Sequence, residues 1–344
     1  MNHLSGAGLY FTHPACLEHD PRAISPWHPD TPERLRALEA ALAVRDWPEW
    51  QWREAPVASE AQLGLVHPQA HIAMIRELAA AGGGAIDPDT FASEGSFRAA
   101  KAAAGAACAM VSALLDGESE VGFCGIRPAG HHAEAARAMG FCLFNNVAIA
   151  AEHAIRERAL ERVFVLDFDV HHGNGTAEIF RTRSDVLFAS VHQWPLYPGT
   201  GPLADAGSGE GEGFTINIPV PPGSGEVEWL SLLEHVVLRA AREFEPELVL
   251  VSAGFDAHAA DPLANCVLQT DSFARIACLV RDFARKSTVP LGIVLEGGYN
   301  VPALCECAIA ALSALGGNGE APSVDVDDAL TPHALAAVGR YWSL

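Results

Sequence analysis

One short segment, 163-VFVLDFDVHHGNGT-176, places acidic and imidazole side chains where a buried strand would otherwise continue. The apolar run takes up Asp167, Asp169 and His171 and then turns through two glycines. Side chains alternate along an extended strand, so these three would share one face at its carboxyl end. Carboxylates and imidazoles are ligands for divalent metal ions, and isolated buried carboxylates are costly. The segment predicts an open, catalytic metal site, with a hydrogen-bonded polar strand end as the alternative.

Three other apolar runs end in polar groups that would complete such a site. The first leads through a Pro-Gly turn to His131 and His132, the second ends at Asp256, and the third ends at Tyr299 after two glycines. In an open α/β sheet, ligands bind outside the carboxyl ends of the strands, where all of these residues fall. Each motif alone is weakly specific, but their combination is highly specific.

The elements that would position these residues alternate along the chain. Buried strands are predicted near 8–11 and at 121–125, 162–170, 186–192, 214–220, 248–255 and 291–298. Helical spacing of apolar residues occurs at 31–45, 96–116, 145–158, 226–244, 271–285 and 303–315. This alternation predicts an α/β fold of three layers, with a central, mostly parallel sheet between helices. The Gly- and Pro-rich region 193–225 predicts a loop over the site rather than a linker, so we expect a single domain over 1–344.

Charge and cysteine content narrow the class of protein. A formal net charge of −21, from 22 basic and 43 acidic residues, argues against direct binding to nucleic acid. The eight cysteines are scattered and form no CxxC pair, which predicts reduced core residues. The N-terminus has no signal-peptide pattern, and we expect no apolar run close to the ~20 residues that span a membrane. A cytoplasmic protein that does not bind membranes is the expectation.

Several motifs in order resemble one known family. The segments RPAGHHAEAARAMGFCLFNN, DFDVHHGNG, GFDAHAADPLA and EGGYN closely resemble the zinc-dependent histone deacetylases, within the arginase–deacetylase fold group. The segments 28-HPDTPERL-35 and SEGSF at 93–97 are similar to the class II and bacterial amidohydrolase branch. The resemblance runs from about residue 10 to about residue 315 and leaves the C-terminal residues unassigned. It implies an enzyme that removes acetyl or other acyl groups from lysine side chains or related amides.

The resemblance also implies how the central residues divide the chemistry. One Zn²⁺ would be bound by Asp169, His171 and Asp256, with open positions for water and an amide carbonyl. His132 would take a proton from the attacking water and return it to the leaving amine. His131 would be its electrostatic companion.

Three further residues are implied to support this chemistry. Asp167 would bind His131 and fix its tautomer. Asn174 lies where some members of the family carry Asp behind the second histidine, and without that charge His132 should be less readily protonated. Tyr299 matches the phenol that donates a hydrogen bond to the developing oxyanion.

The substrate channel is also implied residue by residue. Phe141 resembles one wall of a narrow channel for an acyl-lysine side chain, and Tyr197 stands where the opposite wall is usually Phe. Gly140 would offer its carbonyl to the substrate N–H, and Asp89 would either bind a peptide backbone at the rim or cap its own loop. Leu263, seven residues after the third metal ligand, stands where polyamine-selective members place Glu, and therefore favours acyl-lysine.

The family also has a monovalent-cation site beside the zinc. By resemblance, K⁺ would be bound by Asp167, by the carbonyls of Asp169 and His171, and by Ser190. A plain hydrogen-bond network is the alternative at these residues.

Three other functions compete with a lysine deacetylase. A binuclear manganese ureohydrolase of the arginase type would need second-metal carboxylates where Gly173 and His258 stand. An acetylpolyamine deacetylase shares all the chemistry. An inactive acyl-lysine-binding module would be expected to lack a metal ligand or the tyrosine, and none is lost. We therefore predict an enzyme acting on an acylated lysine peptide or a small acylated amine, with the physiological substrate, acyl chain, regulation and oligomeric state left open.

Overall fold

The computed structural model describes residues 8–47 and 49–344. The strands are β1 (Gly8–Thr12), β2 (Trp50–Glu54), β3 (Gly83–Ala85), β4 (Phe91–Ser93), β5 (Val121–Cys124), β6 (Val163–Asp167), β7 (Val186–Gln193), β8 (Thr215–Val220), β9 (Leu248–Ala253) and β10 (Leu291–Leu295). Within the described residues, eight strands form one parallel sheet in the order β2-β1-β5-β10-β9-β6-β7-β8. Strands β3 and β4 form a separate antiparallel pair.

Helices cover both faces of this sheet. They are α1 (Pro32–Ala43), α2 (Glu60–Leu63), α3 (Gln69–Ala80), α4 (Ser96–Leu115), α5 (Asn146–Arg158), α6 (Asn174–Phe180), α7 (Glu226–Leu232), α8 (Leu238–Phe244), α9 (Thr270–Ser287), α10 (Val301–Gly316) and α11 (Thr331–Val338). Helices α7 to α11 pack with α1 on one face, whereas α4, α5 and α6 pack on the other, with α2 and α3 outside them. The predicted three-layer α/β/α fold is confirmed.

Continuous burial explains why the central strands read as uniformly apolar. Every residue of β6, β7, β9 and β10 is buried, as expected for parallel strands covered on both faces. Each buried Val or Leu side chain contributes about 1.5–3 kcal/mol to this core. All eight cysteines are free, as predicted. Because the strands run parallel, their carboxyl ends meet at one edge, where the candidate site forms.

The seven predicted strands are all present, but three of them end two or three residues earlier than predicted, β6 at Asp167, β9 at Ala253 and β10 at Leu295. Strand β6 ends at Asp167, not at residue 170. The Phe168 N–H still donates to the Ser252 carbonyl of β9, but the N–H groups of Asp169 and Val170 donate to carboxylates instead. The edge strand β2 was not predicted, since only Trp50 of its residues is buried. The pair β3 and β4 was also missed, because each strand has only three residues.

The six predicted helices are also present, and one π-helical turn at Leu233–Val237 joins α7 to α8. Helices α2, α3, α6 and α11 were not predicted. Two of them are too short to show a clear period, at four residues in α2 and seven in α6. Helix α6 also begins within the glycine-containing HHGNGT segment, where composition favours a turn.

Helix α4 corrects the expectation that no apolar run approaches a membrane span. It has 20 residues and, alone among the helices of the described chain, is long and apolar enough to cross a bilayer. However, 72% of the apolar window is buried inside the protein. It packs against α5 and β5, so its apolar side chains belong to the core of the fold.

The C-terminal residues, which the resemblance left unassigned, fold back onto the sheet. Helix α11 packs on α7, where the hydroxyls of Ser231 and Thr331 lie 2.7 Å apart. The indole N–H of Trp342 donates to the carbonyl of Gly213 at 2.8 Å, and its ring lies 5.3 Å from that of Phe214. These contacts fix the end of the glycine-rich loop that precedes β8.

Candidate active site

From Asp169 onward, side-chain carboxylates accept the backbone N–H groups that would otherwise continue the sheet beyond β6. The N–H of Asp169 donates to Asp167 Oδ1 at 3.1 Å, that of Val170 to Asp256 Oδ1 at 2.9 Å, and that of His171 to Asp169 Oδ1 at 2.9 Å. The same carboxylates therefore end the strand and fix the backbone that carries the next candidate ligand. This is why three polar residues cluster although only Asp167 lies in the strand.

The predicted metal ligands form one buried group. One ligand atom each from Asp169, His171 and Asp256 lies within 4.8 Å of the others. Nδ1 of His171 is 3.1 Å from Asp169 Oδ1 and 3.2 Å from Asp256 Oδ2. Oδ2 of Asp256 is buried and accepts no hydrogen bond within the described chain. Two buried carboxylates and an imidazole directed at one point fit a divalent cation.

Two glycines leave the space that this group needs. A Cβ at Gly254 would lie 2.2 Å from Asp169 Oδ2, and one at Gly297 would lie 2.1 Å from Asp256 Oδ2. The N–H of Gly297 donates to Asp169 Oδ2 at 2.8 Å. The glycines that follow β9 and β10 are therefore required by close contact with the carboxylates.

The site carries an excess of buried negative charge. Burial, together with repulsion from Asp169, raises the pKa of Asp256 to about 7. Burial also raises the pKa of Glu296 to about 7, although Glu296 Oε2 accepts hydrogen bonds from the N–H groups of Gly130 and His131. Such carboxylates are stabilised by a positive charge nearby, which a metal ion would provide.

The pKa values of the two adjacent histidines, His131 and His132, are shifted in opposite directions. Their rings lie 4.0 Å apart, but His131 Nδ1 is 3.0 Å from Asp167 Oδ2 whereas His132 Nδ1 is 2.7 Å from Asn174 Oδ1. Burial lowers the pKa of His131, but the carboxylates of Asp169 and Asp167 outweigh burial and raise it to about 10. Burial and repulsion from His131 hold the pKa of His132 well below its usual range. At neutral pH, His132 is the imidazole that can accept a proton.

Tyr299 is placed by a glycine loop and a buried arginine. Gly298 adopts a φ of +120°, and the Arg34 guanidinium donates to the carbonyls of Glu296 and Gly298 at 2.6 Å each. The same guanidinium lies 4.8 Å from the centroid of the Tyr299 ring. Burial raises the pKa of Tyr299 well above its usual range, although Arg34 opposes the shift. The phenol therefore stays protonated and able to donate.

Two buried ion pairs behind this loop were missed by sequence reasoning. Asp30 Oδ1 accepts from Arg34 at 2.8 Å and from Arg127 at 2.9 Å. Their charges were visible in the segments HPDTPERL and RPAGHH, but no spacing rule shows that they are buried partners. Asp261 was missed in the same way, and its carboxylate accepts from the N–H groups of Leu263 and Tyr299 at 3.0 and 2.6 Å.

Phe141 and Tyr197, the predicted channel walls, both lie beside candidate catalytic side chains. Gly140 and Phe141 both have positive φ, +57° and +67°, and a Cβ at Gly140 would lie 2.3 Å from the His132 ring. The Phe141 ring packs edge-on against Tyr299 at 5.6 Å. The Tyr197 ring lies 5.1 Å from that of His132 and is 36% exposed. The channel roles of these residues stay predictions.

The rim residues Asp89 and Leu263 lie on half-buried loops. Asp87, rather than Asp89, caps the turn, since its Oδ1 accepts from the N–H groups of Asp89 and Thr90. The Asp89 carboxylate instead accepts from the Thr90 hydroxyl at 2.8 Å, and burial and Asp87 raise its pKa. Asp89 therefore does not cap this turn, and its binding of a peptide backbone stays a prediction.

The predicted potassium ligands lie together beside the triad. Asp167 of β6 and Ser190 of β7 are register partners in the sheet. The Ser190 hydroxyl is 3.0 Å from His192 Nδ1 and is fully buried. This arrangement is compatible with the predicted cation and with a hydrogen-bond network, so the K⁺ site stays a prediction.

An arginase-type enzyme would need second-metal carboxylates at the positions of Gly173 and His258. The first position has no room for a side chain, and the His258 ring is held by a contact within its own turn. A Cβ at Gly173 would lie 2.1 Å from Asp167 Oδ2. Nδ1 of His258 accepts the N–H of Ala260 at 3.1 Å in its own turn. Within residues 8–47 and 49–344, the only group of three side chains suited to a metal is Asp169, His171 and Asp256.

Comparison with known proteins agrees with this geometry. A family model described as the histone deacetylase domain matches residues 28–315. The histone deacetylase-like amidohydrolase of Pseudomonas aeruginosa is 41% identical over 84% of this chain and 77% of that protein. Histone deacetylase 14, chloroplastic, of Arabidopsis thaliana is 35% identical over 88% of this chain and 75% of that protein. The crystal structure of the HDA15 HD domain superposes with a TM-score of 0.92 at 33% identity, covering 98% of this chain and 96% of the other.

The parallel α/β sheet and the buried triad at its carboxyl edge define a metal-binding hydrolase. The chain belongs to the histone deacetylase domain family. It is a deacetylase or amidohydrolase of that family, with a buried Asp–His–Asp metal-binding triad.

Proposed function

We propose that this protein is a zinc-dependent amidohydrolase that removes acetyl or other acyl groups from lysine side chains or from related linear amides. The observation that supports this most strongly is the position of His132, a buried imidazole with a lowered pKa beside the Asp169, His171 and Asp256 triad. A neutral base next to a metal-binding group is the arrangement that metal-assisted amide hydrolysis uses.

Zinc fits the donor set of the triad. Two carboxylates and one imidazole leave open positions, which is typical of catalytic zinc. Zn²⁺ bound there would polarise the amide carbonyl and lower the pKa of a water molecule.

The protein's own residues would then move protons and stabilise charge. His132 accepts a proton from the attacking water and returns it to the leaving amine. His131, whose pKa is raised by Asp169 and Asp167, offers positive charge beside it. Tyr299 stays protonated and donates a hydrogen bond to the oxyanion as its charge develops.

The channel favours a long apolar stem that ends in an amide. Phe141 and Tyr197 present aromatic surface near Tyr299 and His132, which suits the methylene groups of lysine. The Gly140 carbonyl would accept the substrate N–H, and the Asp89 carboxylate would bind the peptide backbone. Leu263 offers no partner for a second ammonium group, so a polyamine would lose hydration without compensation.

A specific observation supports an acetylpolyamine as the second candidate. Asp87 and Asp89 lie together on the rim loop. The negative charge of each adds to burial in raising the pKa of Tyr197, which shows that both carboxylates are close to the proposed channel. With a net charge of −21, this surface attracts cations of any kind. Tyr197 also makes the channel more polar than the usual Phe would.

Turnover of a substrate panel would test the proposal. We expect zinc-loaded protein to hydrolyse acetyl-lysine peptides with higher kcat/KM than acetylspermidine, acetylputrescine or small aryl amides. A preference for an acetylpolyamine of tenfold or more, which is about 1.4 kcal/mol of transition-state discrimination, would establish the second candidate instead. Binding of acylated peptide without any hydrolysis would show a binding module and refute the enzyme.

We also propose that K⁺ binds beside the triad, between Asp167 and Ser190. Their neighbouring positions in β6 and β7 support this assignment. Dialysis against Na⁺, K⁺ or a bulky organic cation, followed by thermal unfolding, should show a higher Tm with K⁺. Identical Tm values in all three salts would favour a plain hydrogen-bond network.

A further inference from the structure

Asn174 is fixed by polar contacts on both sides of its amide group. Its Oδ1 lies 2.7 Å from His132 Nδ1, and its Nδ2 lies 3.2 Å from Glu134 Oε1. Nδ2 also approaches the His132 carbonyl and the Met139 sulfur, each at 3.4 Å. The carboxylate of Glu134 is the nearest and only charged acceptor among these. Glu134 lies in the GHHAEA segment, and no role is predicted for it from the sequence.

The orientation of this amide decides which nitrogen of His132 carries its proton. The carbonyl end of an asparagine only accepts, and the NH₂ end only donates. With the carbonyl towards the ring, Nδ1 must carry a hydrogen, and Nε2 keeps the lone pair that accepts a proton. With the NH₂ end towards the ring, the protons are reversed and the base is lost. In serine proteases, an asparagine behind the catalytic histidine causes a loss of about 10⁴-fold through this wrong tautomer.

Glu134 can prevent that reversal because an ionised carboxylate only accepts hydrogen bonds. A flipped Asn174 would direct its carbonyl at this carboxylate, and the two acceptors would repel each other. His132 and Asn174 are both buried, at 4% and 6% exposure, so bulk water is poorly placed to satisfy the flipped amide. An aspartate behind the histidine would need no such control, since a carboxylate has no donating end.

The backbone around Glu134 is fixed independently of its side chain. Glu134 and Arg137 form an antiparallel bridge, in which the Glu134 N–H donates to the Arg137 carbonyl at 3.0 Å. The preceding Ala133 carbonyl accepts from Asn145 Nδ2 at 3.1 Å. The carboxylate therefore approaches Asn174 from a defined position, and its removal should leave the loop in place.

We propose that Glu134 is a positioning residue, which keeps the carbonyl of Asn174 towards His132 and so holds His132 in the tautomer that accepts a proton at Nε2. This inference rests on the proposed hydrolytic function and assigns a further residue to it.

A double-mutant cycle on zinc-loaded protein tests this role. Glu134→Ala should lower kcat for an acetyl-lysine peptide roughly tenfold, with KM changed less than about twofold. Glu134→Gln can turn its own NH₂ end towards a flipped Asn174, so it should lose most of the control and lower kcat nearly as much as Glu134→Ala. In an Asn174→Asp background, Glu134→Ala should cause no loss, because Asp cannot present a donor to His132. An equal loss in both backgrounds, or a loss in KM alone, would contradict the proposal.

A spectroscopic readout separates this inference from the proposed function. The ¹⁵N chemical shifts of the His132 ring should show a proton on Nδ1 and none on Nε2 in the wild type. Glu134→Ala should add the reverse tautomer, and Glu134→Gln, whose amide has a donating end, should add it as well. An unchanged tautomer in Glu134→Ala would overturn the positioning role. If the wild type hydrolyses no substrate, the proposed function fails, while the ring shifts still test the positioning.

Discussion

The floor and the mouth of the proposed substrate channel are built in different ways. We define the channel floor by Asp169, His171, Asp256, His131 and His132. All five are buried, and the carboxylates accept backbone N–H groups from Val170, His171 and Gly297. The two carboxylates of the floor are therefore restrained by backbone N–H groups that follow β6 and β10.

The channel mouth is defined by Asp89, Tyr197 and Leu263. These residues lie on loops and are half-buried or, for Tyr197, 36% exposed. The Asp89 carboxylate accepts a hydrogen bond from the Thr90 hydroxyl of its own loop, and the Tyr197 ring packs edge-on against His132. The geometry of the floor is set by backbone contacts at the strand ends, whereas the residues of the mouth lie on loops.

The largest expected effect comes from breaking the floor at one ligand. Asp256→Ala leaves only two ligands and also frees the Val170 N–H, so the site should lose zinc. We expect kcat/KM to fall at least about 10³-fold at stoichiometric zinc, with loss of bound metal by elemental analysis. His258→Ala, two residues further on, is the matched control and should keep both. Full zinc occupancy in Asp256→Ala would remove it from the ligand set.

The second-largest effect concerns Tyr299 in the loop after β10, whose hydroxyl should bind the transition state more strongly than the ground state. Tyr299→Phe removes a protonated hydroxyl, so kcat should fall by on the order of 10²–10³ with a smaller change in KM. Tyr10→Phe is a suitable control, because the Tyr10 hydroxyl is buried but has no hydrogen-bond partner in the described chain. Steady-state kinetics that show wild-type kcat for Tyr299→Phe would refute the oxyanion role.

The third effect lies at the mouth and concerns substrate choice. Leu263→Glu places a carboxylate where a distal ammonium would lie, so it should raise the acetylspermidine to acetyl-lysine ratio of kcat/KM by about tenfold, or 1.4 kcal/mol. Leu263→Gln has the same length without the charge and should shift the ratio much less. An equal shift in both variants would show that polarity alone, rather than charge, decides the preference.

The smallest effect is a shift in pH dependence. Hydrolysis requires neutral His132, so activity is lost as the pH falls through its pKa. Because that pKa is held below 6.5, the acid limb of kcat/KM should lie below pH 6.5 in the wild type. Asn174→Asp adds a negative charge to the Nδ1 partner and should move the limb upward by about one unit. Profiles at saturating zinc would check this, and superimposable acid limbs would contradict the assignment of His132 as base.

The sequence was sufficient for most of the sheet and for the chemical groups at its edge. Uniformly apolar runs predicted β6 and β9, and the polar residues after them predicted the triad. Hydrogen bonds between residues distant in the sequence were not predictable. No local pattern shows that Arg34 donates to the carbonyl of Gly298 or that Asn174 donates to Glu134. A single domain and a cytoplasmic location stay predictions.

The mouth shows a second limit of sequence reasoning. The spacing to the SEGSF loop left two roles open for Asp89, and only the hydrogen bonds show that Asp87 caps that turn. Likewise the left-handed backbone of Phe141 cannot be read from its residue type, since Phe rarely adopts positive φ. Loop conformation depends on contacts with distant residues such as Thr90, whose hydroxyl accepts from the Phe141 N–H at 3.2 Å.

Metal stoichiometry tests the central claim most directly. Protein stripped with a chelator would be titrated with Zn²⁺, and bound metal and hydrolysis of an acetyl-lysine peptide would be measured on the same samples. The triad of Asp169, His171 and Asp256 predicts that the stripped protein is inactive and that activity rises in proportion to bound zinc, reaching its plateau at one ion per chain. Undiminished hydrolysis by stripped protein, or full activity only with two transition-metal ions per chain, would contradict a mononuclear zinc amidohydrolase.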